Sequence, residues 1–443
     1  MLKKLIRFGS QKLALLDEHT LEVLRKSMAS IGVKIIGMVA SLLLSVFLGR
    51  TLGADGVGII NLSNRIITLL SVIGLFGMQQ VVIKKVSVYR KKKYYQAIKD
   101  LMKSVFWFNG MITLILSILM ILITPWLANE VFNEPELTYP LTVVLTMLTP
   151  QVFSRIYSSA LVGYKKIWQS NLVNQSLSVI ITTIMLFFIW WIEGELSVYI
   201  VAIGYAVGWL IVTFTVGIYW NSIFKHKIKG IFNRKYLYNS YPFFMVSVSS
   251  VVFINADAII LGLFANAKEV GLYTVAARIA LMASFFLQIT NSSVSPKIAA
   301  LYAGGQLDEL ERMIQKVTKA LFFLGLFVLL IFIFLGKYIL GIWGEEFEGG
   351  YWILVILGVG QFINLSTGAV GLLLMMTKYE KIHGQITMLF SVFNIIFLVV
   401  LVLFFNAIGA AIGSAFTIIG LNLTTLFFVQ KKVGITTLSF RKK

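Results

Sequence analysis

Five basic residues and one acid stand inside, or at the ends of, long apolar runs: Lys34, Arg65, Lys103, Arg155, Arg278 and Asp257. Two chemistries suit them. A guanidinium is a planar fork that binds phosphate oxygens two at a time. A carboxylate in apolar surroundings can hold a proton or a cation, or neutralise an arginine. No other reactive pattern accompanies them. The chain has no cysteine, and its three histidines, His19, His226 and His383, lie far apart in polar connectors, without metal-ligand spacing. No stretch resembles a P-loop, a zinc motif or a nucleophile elbow. The expectation is a protein that is not an enzyme, with no catalytic residue, no metal and no cofactor.

The elements that carry these groups follow from composition. The 443 residues are 58% hydrophobic and 13% charged, whereas a soluble domain carries roughly 25% charged residues. So polar a deficit makes the chain a polytopic membrane protein. Its net charge of +20 comes in short basic blocks between apolar runs, which is the pattern of membrane topology rather than of nucleic-acid binding.

Twelve apolar runs are long enough to cross a hydrocarbon core of roughly 30 Å. They cover about 27–48, 56–83, 101–127, 138–163, 169–192, 197–222, 239–263, 270–296, 318–341, 350–377, 384–405 and 407–430. Continuous rather than alternating apolarity makes them helices. Most of the 39 lysines and arginines fall in the N-terminus, the connectors 84–99, 164–168, 224–238, 297–319 and 378–383, and the tail. That asymmetry puts both termini in the cytoplasm. The segment 1–26 is expected to be an amphipathic helix on the cytoplasmic surface, and 431–443 a basic tail. The run from Lys297 to Lys319, with Gly304 and Gly305 at its middle, is expected to form an amphipathic surface helix pair. The motif GAAIG from Gly409 is expected to serve close helix packing.

Depth sorts the buried charges. Arg65 lies nine residues into the second span, about 14 Å down and near the midplane. Arg278 is at a similar depth in the eighth, and Arg155 is about 12 Å from the cytoplasmic end of the fourth. Lys34 is shallower, and Lys103 can snorkel to the interface. Asp257 can pair with Arg278 across the hairpin of spans seven and eight, or act as a proton or cation site. No acid lies in any span of the first half, so Arg65 has no carboxylate to meet there.

The stretch LGRTLGADGVGIINLSNRI from Leu48 aligns without a gap on LGLFANAKEVGLYTVAARI from Leu261, at an offset of 213 residues. Seven of nineteen positions are identical, including Ala54/Ala267, Gly58/Gly271 and Arg65/Arg278. The chain therefore divides into two six-helix lobes, 27–222 and 239–430, joined by a cytoplasmic connector at 223–238. An even number of spans per lobe makes the repeat parallel, the plan of a transporter built around a central cavity.

The pattern DAIILGLFANAKEVGLYTVAARI from Asp257, with its first-half counterpart LGRTLGADGVGIINL, resembles the polysaccharide-export branch of the multidrug/oligosaccharidyl-lipid/polysaccharide exporter superfamily. The likeness extends over nearly the whole chain in span number, repeat and loop lengths. It implies a flippase in the bacterial plasma membrane. Its substrate would be a polyprenyl-pyrophosphate-linked oligosaccharide, such as an O-antigen unit, carried from the cytoplasmic to the outer leaflet by alternating access. Arg65, Arg155, Arg278 and Lys34 would face the anionic head group, and Asp257 would be a coupling site or half of a structural ion pair. A proton or sodium gradient or the membrane potential would supply the energy. Membrane lipids, a polysaccharide polymerase and other assembly proteins are the expected partners, and nucleic acid is not. Three rivals are a cation-coupled multidrug exporter, a lipid II flippase on the same fold, and a membrane glycosyltransferase or polymerase.

Overall fold

The computed structural model describes residues 18–226, 229–236 and 240–437. The first seventeen residues of the expected amphipathic segment, and residues 438–443 of the tail, lie outside the described residues. Every regular element among the described residues is helical. In chain order they are α1 (Glu18–Leu75), α2 (Met78–Lys91), α3 (Tyr95–Trp126), α4 (Thr138–Thr146), α5 (Leu148–Gly163), α6 (Ile167–Glu193) and α7 (Val198–Ile223). There follow α8 (Tyr241–Phe264), α9 (Ala267–Ala303), α10 (Leu307–Gly341), α11 (Tyr351–Thr367), α12 (Val370–Met376) and α13 (Glu380–Val433). Eight of the helical stretches are long and apolar enough to cross a membrane. Their outward surface is itself apolar: Leu122, Phe214, Phe334 and Phe404 are each 70% or more exposed. Water would penalise such a surface, and lipid does not.

Helix breaks sit where the sequence permits an unusual backbone. In α1 the helical path stops at Gly53, with φ 69°, a left-handed value that glycine adopts without the Cβ penalty. Phe76 and Gly77 part α1 from α2, and Gly368, with φ 72°, parts α11 from α12. At 54 residues α13 would be about 80 Å long if straight. It is instead a hairpin, turned at Asn406 with φ 49°. A Cβ on Gly409 would overlap the Leu401 carbonyl oxygen, and one on Gly413 would touch Leu398. One on Gly420 would overlap the Phe390 ring. These contacts run in opposite chain directions, so the stretches 384–405 and 407–430 are two antiparallel arms. The small residues of GAAIG bring the arms together, as their spacing led us to expect.

Two compact units emerge from the packing. The first holds residues up to Ser45, Ile67–Thr124 and Tyr139–Ser249. Within it α2 lies on α5, where Gly163 meets Val86. The second holds Val46–Ile66, Pro125–Thr138 and the chain from Ser250. One apolar core of this unit corrects an expectation. The residues around Gly304–Gly305 are the ends of the long helices α9 and α10, not a separate pair on the surface. The break itself stands where it was expected. Ile298, Leu310 and Ile314 are completely buried, packed with Leu373, Leu374 and Val429. The apolar stripe that suggested a membrane surface is filled by the chain's own helices.

Candidate functional site

In the second unit, four helices bring polar side chains together at membrane depth. Helix α8 supplies Asn255 and Asp257, two residues apart, α9 supplies Tyr273, the second arm of α13 supplies Ser414, and α1 supplies Arg65. The Arg65 guanidinium donates from Nη1 to the Asn255 amide Oδ1 at 2.8 Å. The Asp257 carboxylate accepts from the Tyr273 hydroxyl at 2.8 Å and from the Ala258 backbone N–H at 2.8 Å. The Tyr273 oxygen lies 3.1 Å from the Ser414 hydroxyl. Tyr273 is only 2% exposed. A positive group, a negative group and two hydroxyls therefore share one neighbourhood, where a low dielectric strengthens each interaction.

The other expected residues are spread over both units. Arg278 lies on α9 in the second unit, one and a half turns beyond Tyr273, and is half-buried and engaged. Arg155 belongs to the first unit. It sits on α5 and donates from Nη1 to the Ser71 hydroxyl at 3.0 Å, and Ser71 in turn donates to the Thr68 carbonyl. One turn before Arg155, Gln151 is 4% exposed and its Oε1 has no hydrogen-bond partner among the described residues. The arginine's bonded neighbour is thus a neutral hydroxyl, beside an amide oxygen still able to accept. Lys34, on α1 in the first unit, is exposed. Among the described residues no group of three His, Cys, Asp or Glu side chains could hold a metal ion.

Sequence reasoning had looked for carboxylates and so overlooked the amide partner of Arg65. The first half offers Arg65 no carboxylate, and its side-chain partner is the amide of Asn255 in the second half. Tyr273 lies within the quoted VGLY motif, but only the fold shows its hydroxyl on Asp257. Ser71 and Ser414 carry no sequence signal, because serine is common in membrane helices, where it bonds its own backbone.

Outside the spans, burial and the nearby Tyr89 and Asp100 push the Tyr236 phenol up to about 12. The Lys85 ammonium stands 4.6 Å over the same ring. The Asp100 carboxylate also accepts from the Ile231 N–H at 2.7 Å, tying the connector to α3. Burial lowers His383 below its ordinary value.

Residues 23–302 match the model of a family described as polysaccharide biosynthesis protein. Over 188 residues the chain is 26% identical to a probable low-salt glycan biosynthesis flippase, Agl15 of Haloferax volcanii. That match takes in 41% of this chain and 39% of the relative, so the chain spans about two-fifths of that protein. Among solved structures, an inward-closed lipid II flippase, MurJ, superposes with a TM-score of 0.71 at 19% identity. It covers 92% of this chain and 87% of its own. An inward-facing multidrug resistance transporter of the MATE family, in the MOP superfamily, superposes with a TM-score of 0.73 at 11% identity. There the coverage is 92% and 98%. At these identities the likeness shows a shared fold.

Proposed function

The chain belongs to the polysaccharide biosynthesis protein family, and from that premise we propose that it is a flippase for a lipid-linked oligosaccharide, working by alternating access. It is a multi-pass membrane protein with the fold of the MOP-superfamily transporters. The observation that carries the substrate class is Arg155. It is a half-buried guanidinium on a membrane-depth helix, and it is hydrogen-bonded to a neutral serine. A pyrophosphate that joins sugar to polyprenyl lipid is the complementary anion, since a guanidinium gains most from paired phosphate oxygens. Arg65, positioned by Asn255, supports the same reading, and Arg278 and Lys34 are proposed as further cations for the head group. The sugar would travel with the head group while the polyprenyl tail stays in lipid. The setting is a bacterial plasma membrane with both chain ends in the cytoplasm, and a polysaccharide polymerase would receive the flipped unit at the outer leaflet.

Asp257 favours an accompanying role. Its carboxylate, bonded to Tyr273, whose hydroxyl also meets Ser414, is suited to exchange a proton or a cation and so couple flipping to an ion gradient.

Reconstitution into liposomes tests the proposal. Protein-dependent movement of a polyprenyl-pyrophosphate oligosaccharide to the opposite leaflet is expected. Export of a cationic drug with no movement of any lipid-linked sugar would replace the proposal with the multidrug reading.

A further inference from the structure

The repeated stretches at Leu48 and Leu261 meet in the structure, and the residues that are identical between them make the meeting. A Cβ on Gly58 would overlap the backbone carbonyl of Ala267, and a Cβ on Gly271 would overlap that of Ala54. Gly58 and Gly271 are repeat mates at the offset of 213, and so are Ala54 and Ala267. Each glycine therefore rests on the repeat mate of the alanine that its own mate touches. This reciprocity is the signature of a two-fold contact, here made within one chain. The absence of side chains lets the two backbones touch.

Two glutamates repeat the exchange. Ala54 opens the helix that follows the Gly53 break, and its N–H donates to the Glu346 carboxylate at 3.0 Å. Ala267 opens α9, and its N–H donates to the Glu134 carboxylate at 2.7 Å. Glu134 and Glu346 lie in equivalent loops, 212 residues apart. So a loop of the second repeat caps a helix of the first, and a loop of the first caps a helix of the second. A carboxylate at a helix start satisfies an orphan N–H and meets the positive end of the helix dipole. Flanking contacts continue the seam. Arg50 donates to the Ile342 carbonyl at 2.8 Å, and a Cβ on Gly262 would stand 2.8 Å from Leu62. All of these residues belong to the second compact unit.

The seam is small, and it is held by two hydrogen-bonded caps and bare backbone. Leu62 and Trp343 pack at its flanks, while its centre carries no large side chain between the two backbones. We propose that it is the outer gate of the transporter, a two-fold latch closed by exchanged glutamate caps, and that it opens once per transport cycle. The proposal rests on the alternating-access reading given above.

The cysteine-free chain allows a clean test in intact cells. Val57 and Val270 are repeat mates in the seam, 3% and 0% exposed. Cysteine is smaller than valine, so Val57→Cys or Val270→Cys adds a thiol without crowding. A membrane-impermeant maleimide added outside should label either thiol slowly. Adding Glu134→Ala or Glu346→Ala should raise the labelling rate by about 2- to 30-fold, the effect of losing one helix cap. The two glutamates should act alike. Unchanged labelling in both would overturn the latch.

A second arm does not depend on the caps. An ideal Cβ on Gly49 lies 3.0 Å from the Trp343 Cβ, near the roughly 3.5–4.5 Å of a disulfide. Oxidised Gly49→Cys/Trp343→Cys should flip at least about tenfold more slowly than its reduced form, with recovery on reduction. Equal flipping by the oxidised and reduced forms would overturn the gate. If the unmodified protein moves no lipid-linked sugar, the flippase reading fails, while the labelling arm still decides whether the seam opens.

Discussion

Arg65 and Asn255 lie 190 positions apart in sequence and 2.8 Å apart in space, the guanidinium donating to the amide oxygen. The Asn255 amide positions the guanidinium, and under the proposed function Arg65 meets the anionic head group of the substrate. Arg65→Ala should therefore leave abundance near wild type and cut flipping per molecule about tenfold or more, the value of a hydrogen bond to a charged group. Arg65→Lys should recover part of it, because a point charge lacks the bidentate fork. Asn255→Leu should act mainly on abundance, since it removes an acceptor of the arginine. Western blotting and flipping measured in the same cells separate the two effects. Abundance falling in step with activity in Arg65→Ala would assign the residue to scaffolding.

Asp257 holds Tyr273 through a hydrogen bond to a charged acceptor, worth about 1.5–3 kcal/mol. Tyr273→Phe should lower the thermal midpoint of the purified protein. Asp257→Asn keeps the shape and an acceptor but removes the charge. If the carboxylate couples transport, gradient-driven flipping by Asp257→Asn falls while abundance holds. If it serves to balance Arg278, abundance falls and Arg278→Gln restores some of it. Normal gradient-driven flipping by Asp257→Asn would end the coupling role.

Glycines in α13 give a contrast within one element. Gly409→Ala drives a methyl into the Leu401 carbonyl, and overpacking of this kind costs about 1–3 kcal/mol. A methyl group at Gly384 would meet no neighbouring atom within 4 Å. Gly384→Ala should therefore stabilise the helix by about 0.5–1 kcal/mol through lower backbone entropy alone. Thermal denaturation in detergent reads both signs.

His383 gives a pH dependence. Burial lowers its folded value below the ordinary 6.5. The unfolded chain thus binds a proton more readily than the folded one. The stability this contributes is complete above pH 6.5 and is lost as the pH falls toward the folded value. Thermal midpoints of the wild type should drop between about pH 7.5 and pH 5.5 more than those of His383→Gln.

Orientation is open to a direct measurement. A reporter active only outside the cytoplasm should work when fused after Glu134 or Glu346, and should stay silent after Lys92 or Arg234. The reverse pattern would invert the assignment of both termini and place the glutamate latch on the cytoplasmic side.

The sequence by itself determined the class of the protein, because 58% hydrophobic residues leave too little polar surface for water. It also determined the repeat, since one offset carried identities at glycine and arginine positions that apolar helices do not share by composition. The helix breaks at Gly304–Gly305 and the packing role of GAAIG were legible because glycine acts through local backbone chemistry. What the tertiary structure decided is which partner each polar group has. Asn255 on Arg65 and Ser71 on Arg155 join helices far apart in the chain, Tyr273 on Asp257 joins the two helices of one hairpin, and no local pattern encodes which hydroxyl or amide arrives. In space, Glu134 and Glu346 reach across the repeat to cap each other's helices, because a helix start is short of acceptors wherever its neighbours fold, and only the fold says whose carboxylate arrives.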